Sequence, residues 1–180
     1  MLRNNIRTWR TAILFFTLLV KKRLRFRLRS VRLDQIFNYL KIDDQMSTFS
    51  HPSEDECELI KEADFQTVVD LAPHDAERSL KDEAGLFRNL SLDYVHMPVD
   101  FFKPNETDFS IFRTVRENHR AEKVWIHCAA NMRVSSFLFR YRPEKMGVDR
   151  LLAKHDLNRI WGPFDYRYPL SLIHISEPTR

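Results

Sequence analysis

Hydrophobic positions change their spacing several times along this chain, and each change marks an element. Thr67-Val-Val-Asp-Leu-Ala72 is a short apolar run closed by Pro73, as expected of a strand buried on both faces. Val124 to His127 is a second such run and is expected to be the central strand. Tyr94 to Val99 reads as a third, and Pro98 assigns it to a sheet edge or strand end. Met46 to Ser50 reads as a short edge strand. Between these runs the spacing is helical. Ser53-Glu-Asp-Glu56 is a capping box that opens a helix to about Ala63. Asp82 to Leu90 carries Ala84, Leu86, Phe87 and Leu90 on one side, and Asn105 caps a helix with Phe109, Phe112 and Val115 on one face. A helix follows Cys128 and runs to about Phe139, before Pro143 and Gly147 punctuate the chain. Val148 to Trp161 predicts a last helix burying Leu151, Leu152, Leu157 and Ile160, and Leu33 to Leu40 a short one.

Strands alternating with helices predict an α/β fold, with a mostly parallel central sheet flanked by helices on both faces. Ligands of such sheets bind beyond the C-terminal ends of the strands. Cys128 lies at such an end, where a strand gives way to a helix. The positive field of a helix N-terminus favours thiolate over thiol, and the thiolate is the nucleophile. The backbone N–H groups of the loop that follows suit an oxyanion such as phosphate, with Arg133 to close the ring.

Composition narrows the chemistry further. A chain of 180 residues fits one domain with a real core. Two cysteines make no disulfide framework, and Cys57 falls on an apolar helix side with Ile60 and Phe65 as a small core residue. A reactive Cys128 requires a reducing compartment, so a cytoplasmic location is expected. The 7 histidines are scattered singly, so neither a metal nor a cofactor is expected. None of the 3 glycines lies near Cys128, and no dinucleotide-binding or Walker-type loop is present.

Charge is unevenly spread. Residues 1 to 32 hold ten Lys/Arg and no Asp/Glu, which leaves 19 Lys/Arg against 25 Asp/Glu in the rest. The picture is a mildly acidic domain behind a basic arm, and no nucleic-acid partner is expected. The arm contains the apolar run Thr11 to Val20, too short for a bilayer span of roughly 20 residues. Three readings stay open for residues 1–30: a peripheral contact with an anionic membrane surface, a helix docked on the domain, or translated upstream sequence. At the other end, residues 170–180 resemble the in-frame translation of a transposase sequencing adapter and are read as foreign to the native protein. The domain proper is then residues 31–169.

His127-Cys-Ala-Ala-Asn-Met-Arg133-Val-Ser135 resembles the signature loop of the protein tyrosine phosphatase superfamily, in particular small bacterial tyrosine/dual-specificity phosphatase-like proteins. The similarity runs from about Val31 to Tyr168 and implies a cysteine-dependent phosphatase-like fold. Four residues separate Cys128 from Arg133, where the superfamily has five. Asn131 stands where a glycine is usual, and Asn tolerates the left-handed conformation better than most residues. The resemblance implies that Cys128 attacks phosphorus and that Arg133 holds two phosphoryl oxygens. Ala129, Ala130, Asn131 and Met132 would bind the substrate, Ser135 would hydrogen-bond the thiolate, and His127 would support the loop. Asp100 would be the general acid, its pKa raised by its two phenylalanine neighbours, with Glu106, Asp108 and Asp70 as fallbacks. The substrate would be a phosphorylated protein or a small phosphoester. The four-residue spacing also suits a rhodanese-like sulfurtransferase, and a non-catalytic phosphate-binding module is the third reading.

Overall fold

The computed structural model describes residues 8–17, 32–74 and 80–162. The 170–180 tail, and the arm apart from 8–17, lie outside the described residues. Five strands form one sheet: β1 (Leu40–Lys41), β2 (Met46–Phe49), β3 (Thr67–Asp70), β4 (Asp93–His96) and β5 (Val124–His127). Their order is β1-β2-β5-β3-β4. Only β1 is antiparallel to its neighbour, so the mostly parallel sheet is present and β5 is its central strand.

The helices are α1 (8–17), α2 (Glu54–Glu62), α3 (Glu83–Asn89), α4 (Glu106–Asn118), α5 (Met132–Met146) and α6 (Arg150–Ile160). Side chains alternate across a strand, so one strand feeds two cores. Val124 and Ile126 of β5 pack with Phe109, Phe112, Phe137 and Leu157 from α4, α5 and α6. Trp125 points the other way, into Cys57 and Ile60 of α2 and Phe87 of α3. Cys57 is fully buried there, as expected, and burial pushes its thiol pKa up. By the same alternation His127 and Asp70 face the α2/α3 side, and they are direct cross-strand partners.

Several expectations are corrected. Leu33–Gln35 is a single 3-10 turn, because Asn38 takes φ 57 and sends the chain into β1. The β2 strand is interior, because the turn closed by Gln45 N–H on Asp43 Oδ1 folds β1 over its open edge. Helix α5 does not stop near Phe139 but continues through Pro143 to Gly147, whose φ of 64 ends it. Pro143 lies in the last turn and gives up one backbone bond there. In α6, Ala153, Leu157 and Ile160 form the buried face, while Leu151 and Leu152 are 76% and 51% exposed. With Asp149 as N-cap, Leu151 falls about 160° from Ala153 around the helix, so Leu157 and Ile160 are buried as expected while Leu151 and Leu152 are not.

Helix α1 touches the end of α6. The Thr11 hydroxyl donates to the Ile160 carbonyl, and the Gly162 N–H donates to Thr8 Oγ1 at 2.9 Å. The first bond satisfies a carbonyl that the end of α6 would otherwise leave unpaired. No helix among the described residues is long and apolar enough to cross a membrane.

Candidate active site

All four residues of β5 are buried, and the strand delivers Cys128 to the start of a short loop before α5. Cys128 is a free thiol, 1% exposed. The loop is fixed from one side. Asn38 Nδ2 donates to the Ala130 carbonyl at 2.9 Å, and the His51 N–H reaches the Ala129 carbonyl at 3.5 Å. Asn131 has φ 62, the left-handed conformation expected at its position. Its Nδ2 donates to the Asn38 carbonyl at 2.8 Å and to Thr48 Oγ1 at 2.9 Å. A trans peptide points its C=O and its N–H in opposite directions. The His51 N–H holds the Ala129 carbonyl, and the antiparallel bridge between Ser50 and Ala130 turns the Asn131 N–H to the same β2 side, which leaves the Ala130 N–H on the opposite side. The Ala130 N–H, beside a helix N-terminus, is placed to meet an anion.

Arg133 lies in the first turn of α5 and is half-buried. Its guanidinium carbon sits 5.4 Å from the centre of the Phe101 ring. Its buried Nε has no hydrogen-bond partner, and Arg133 makes no ion pair among the described residues. Arg140 and Arg142, about two and two and a half turns on, are by contrast tied to Glu106 and Asp156. A guanidinium without a carboxylate partner keeps its fork of donors for a ligand. Met132, at the helix start, has its carbonyl taken by the Ser135 and Ser136 hydroxyls at 3.1 and 3.0 Å. The single proton of Ser135 Oγ is thus directed at Met132.

Asp100 follows β4 on an exposed turn, and its Oδ1 accepts the Phe102 N–H at 2.7 Å. The expected desolvation by its neighbours does not occur. Phe101 packs on Trp161 and Arg133 rather than on the carboxylate, and Phe102 is 69% exposed. Phe101 does bring the Asp100 turn alongside Arg133. The fallback carboxylates are engaged elsewhere. Glu106 binds Arg140 through both oxygens, Asp108 accepts the Asn105 N–H in the capping box of α4, and Asp70 is buried.

Asp70 belongs to a cluster that the sequence hid. His51, Asp70, Glu83 and His127 come from four separate segments and are all buried. Glu83 Oε1 lies 3.1 Å from His127 Nε2, and Glu83 Oε2 lies 3.0 Å from His51 Nε2. Asp70 Oδ1 lies 3.5 Å from His127 Nδ1. Asp70 also accepts the Ala72 N–H at 2.7 Å and the Tyr94 O–H at 3.1 Å. The His127 N–H directions lie off the line to the carboxylates, so these contacts are Coulombic more than hydrogen-bonded. Burial alone would depress the His127 pKa, but Asp70 and Glu83 outweigh it and raise the value to about 9. Burial opposes the charge on Glu83 too, and His127 and His51 overcome it, holding this carboxyl well below its usual range. Burial lowers His51. The Leu80 N–H also approaches His51 Nε2, at 3.3 Å. A carboxylate oxygen at 3.0 Å requires a proton on that nitrogen, so the shorter, charged contact governs.

The ligand-type atoms of this cluster lie within 4.8 Å of one another, the spacing at which a metal could be held. Each imidazole, however, already faces a carboxylate directly, and both Asp70 oxygens already accept hydrogen bonds. Even so, His51 Nδ1, Glu83 Oε1 and both ring nitrogens of His127 are buried without a hydrogen-bond partner among the described residues. No short motif could have revealed this cluster. The only linear hint was an aspartate ending one buried strand and a histidine ending another.

No protein-family model and no curated protein sequence matches this chain. Solved structures do. A DUF442 protein from Shewanella putrefaciens, provisionally assigned as a phosphatase, has a TM-score of 0.68 and 25% identity, covering 78% of this chain and 87% of that one. TpbA from P. aeruginosa, solved as a cysteine-to-serine variant with phosphotyrosine bound, has a TM-score of 0.59 and 19% identity over 77% of this chain and 82% of its own. Tk-PTP in its active form has a TM-score of 0.59 and 20% identity over 68% of this chain and 84% of its own. These likenesses show the fold: a protein tyrosine/dual-specificity phosphatase-like α/β fold around the mostly parallel five-stranded sheet.

Proposed function

We propose that this protein is a cysteine-dependent phosphatase acting on phosphomonoesters of the phosphotyrosine or dual-specificity class. The observation that carries the reading is Arg133. Its guanidinium has no ion-pair partner among the described residues, and it sits on the helix that begins at the loop of Cys128. Phosphotyrosine bound to TpbA supports a phosphoester as the substrate.

In the first step the Cys128 thiolate attacks phosphorus, an S–P bond forms and the P–O bond to the leaving group breaks. The leaving oxygen takes its proton from Asp100, which the Phe101 contact keeps beside Arg133. Arg133 and the Ala130 N–H hold the equatorial oxygens. Water then cleaves the S–P bond, giving its proton to Asp100 and releasing phosphate with the thiolate restored. No cofactor is needed for either step. The free thiol fits a reducing, cytoplasmic setting.

The four-residue spacing keeps sulfur transfer as the competing reading. Both are tested on wild type and Cys128→Ser with an aryl phosphate and with thiosulfate plus cyanide. Aryl phosphate turnover lost in the variant is the expected result. Thiocyanate production with a persulfide on Cys128 would replace this reading with sulfur transfer. Vanadate binding without either activity would leave a phosphate-binding module.

A further inference from the structure

The buried cluster beneath Cys128 is larger than loop support requires, and one residue occupies its centre. Glu83, in the first turn of α3, reaches across to the C-terminal edge of the sheet. One oxygen meets His127, the residue immediately before the nucleophile, at 3.1 Å. The other meets His51 at 3.0 Å. His51 follows β2, and its own N–H lies on the Ala129 carbonyl inside the nucleophile loop. A single carboxylate therefore grips both strands that bracket the loop, β5 through His127 and β2 through His51.

We propose that Glu83 is a positioning residue for Cys128: its carboxylate clamps His127 and His51 together and so holds the two chain segments that carry the nucleophile loop. The inference rests on Cys128 being the nucleophile. Every group that faces the clamp fits it. Asp70 of β3 stands on the other side of the His127 ring, at 3.5 Å, so that imidazole lies between two carboxylates. Tyr94 of β4 donates to Asp70, which orients that carboxylate. His96 is 3.9 Å from Asp70 but bonds the Ala72 carbonyl at 2.7 Å. Cys57 of α2 also feels the charge of Glu83, and its thiol is buried and pushed toward neutrality. Cys128 itself is coupled electrostatically to His127. A buried imidazole with two carboxylate partners stays charged, and that charge, adjacent in the chain to Cys128, favours the thiolate.

Removing the Glu83 charge leaves His127 with Asp70 alone and frees His51. The positive charge next to the sulfur is lost over a wider pH range, and the thiol is harder to ionise. The test is the rate of Cys128 alkylation by iodoacetamide against pH, compared between wild type and Glu83→Gln, on protein shown to be folded by circular dichroism. The expected result is a midpoint displaced to higher pH, with alkylation near pH 6 slowed about tenfold for each unit of displacement. With aryl phosphate the variant should lose kcat while KM changes less than about twofold, the signature of a weakened chemical step. Glu83→Asp should restore part of both.

If Glu83→Gln does not fold, His51→Ala and His51→Gln decide. Alanine removes one prong and should displace the profile, whereas glutamine keeps a donor for Glu83 and should return it toward wild type. Superimposable alkylation profiles in wild type and in the folded variants would overturn the clamp, as would restoration of the Glu83→Gln profile by added zinc. The alkylation profile needs no phosphorylated substrate. A displaced profile in a protein without phosphatase activity would keep the clamp and remove the phosphatase reading.

Discussion

Asn38 and Asn131 form a reciprocal clasp: Asn131 donates to the Asn38 carbonyl, and Asn38 donates to the carbonyl just before Asn131. Both sit in the left-handed region, at φ 57 and 62. The clasp fixes the Ala130–Asn131 peptide in a loop without glycine.

Asn131→Gly keeps the backbone conformation available and removes two side-chain bonds, while Asn131→Ala also adds left-handed strain of about 1–2 kcal/mol. Vanadate affinity is expected to fall in both, and thermal stability further in the alanine variant. Denaturation and vanadate titration of the pair separate the two contributions. Equal stability of the two variants would show that the conformation carries no strain.

Arg133→Lys keeps the charge and loses the planar fork. The expected outcome is a loss of roughly a hundredfold or more in kcat/KM on aryl phosphate, about 3 kcal/mol, because a point charge cannot replace bidentate contact. Since Arg133 makes no ion pair among the described residues, the melting temperature should hardly move. A large stability loss with intact activity would make Arg133 structural.

Asp100→Asn tests the general acid. An exposed aspartate in a turn is free to approach a leaving group, and asparagine preserves the turn bond to Phe102. Aryl phosphates with poor leaving groups should slow by roughly 10²–10⁴-fold, and those with good leaving groups far less. Equal slowing of both would remove Asp100 from that role.

Stability should track the His127–Glu83 contact with pH. The His127 pKa rises from its ordinary 6.5 to about 9 in the fold, so its contribution is complete below 6.5 and is lost as pH climbs through 9. Glu83 is held below its ordinary 4.5, so its contribution is present above 4.5 and fades as pH falls. His51, lowered by burial, costs stability as pH drops below 6.5. The stability gap between wild type and Glu83→Gln should therefore narrow from pH 6.5 to 9.5, as read by urea denaturation. A gap that widens over that range would contradict the ion pair.

The core was legible wherever apolar spacing was enough. Val124 to Ile126, the capping box at Ser53 and the Phe109/Phe112 face of α4 are local patterns, and each became the expected element. The misses have one cause. Leu151 and Leu152 are apolar, but the phase of α6 is set by what it packs on, and β2 lost its edge because a turn at Asp43 folded β1 beside it. Asp100 was expected to be desolvated by adjacent phenylalanines, yet adjacent residues in a turn point apart, and Phe101 chose Arg133 and Trp161.

By itself, the sequence determined the α/β fold, the central strand and the delivery of Cys128 to a helix N-terminus, because hydrophobic period and a single loop act over a few residues. Tertiary structure alone decided what surrounds that cysteine. His51, Asp70, Glu83 and His127 are spread along 77 residues; Asp70 and His127 meet because parallel strands end at the same edge with the same pleat, and the segment after β2 and the start of α3 bring His51 and Glu83 to them. Burial then gives their charges an energy that no spacing in the chain could announce.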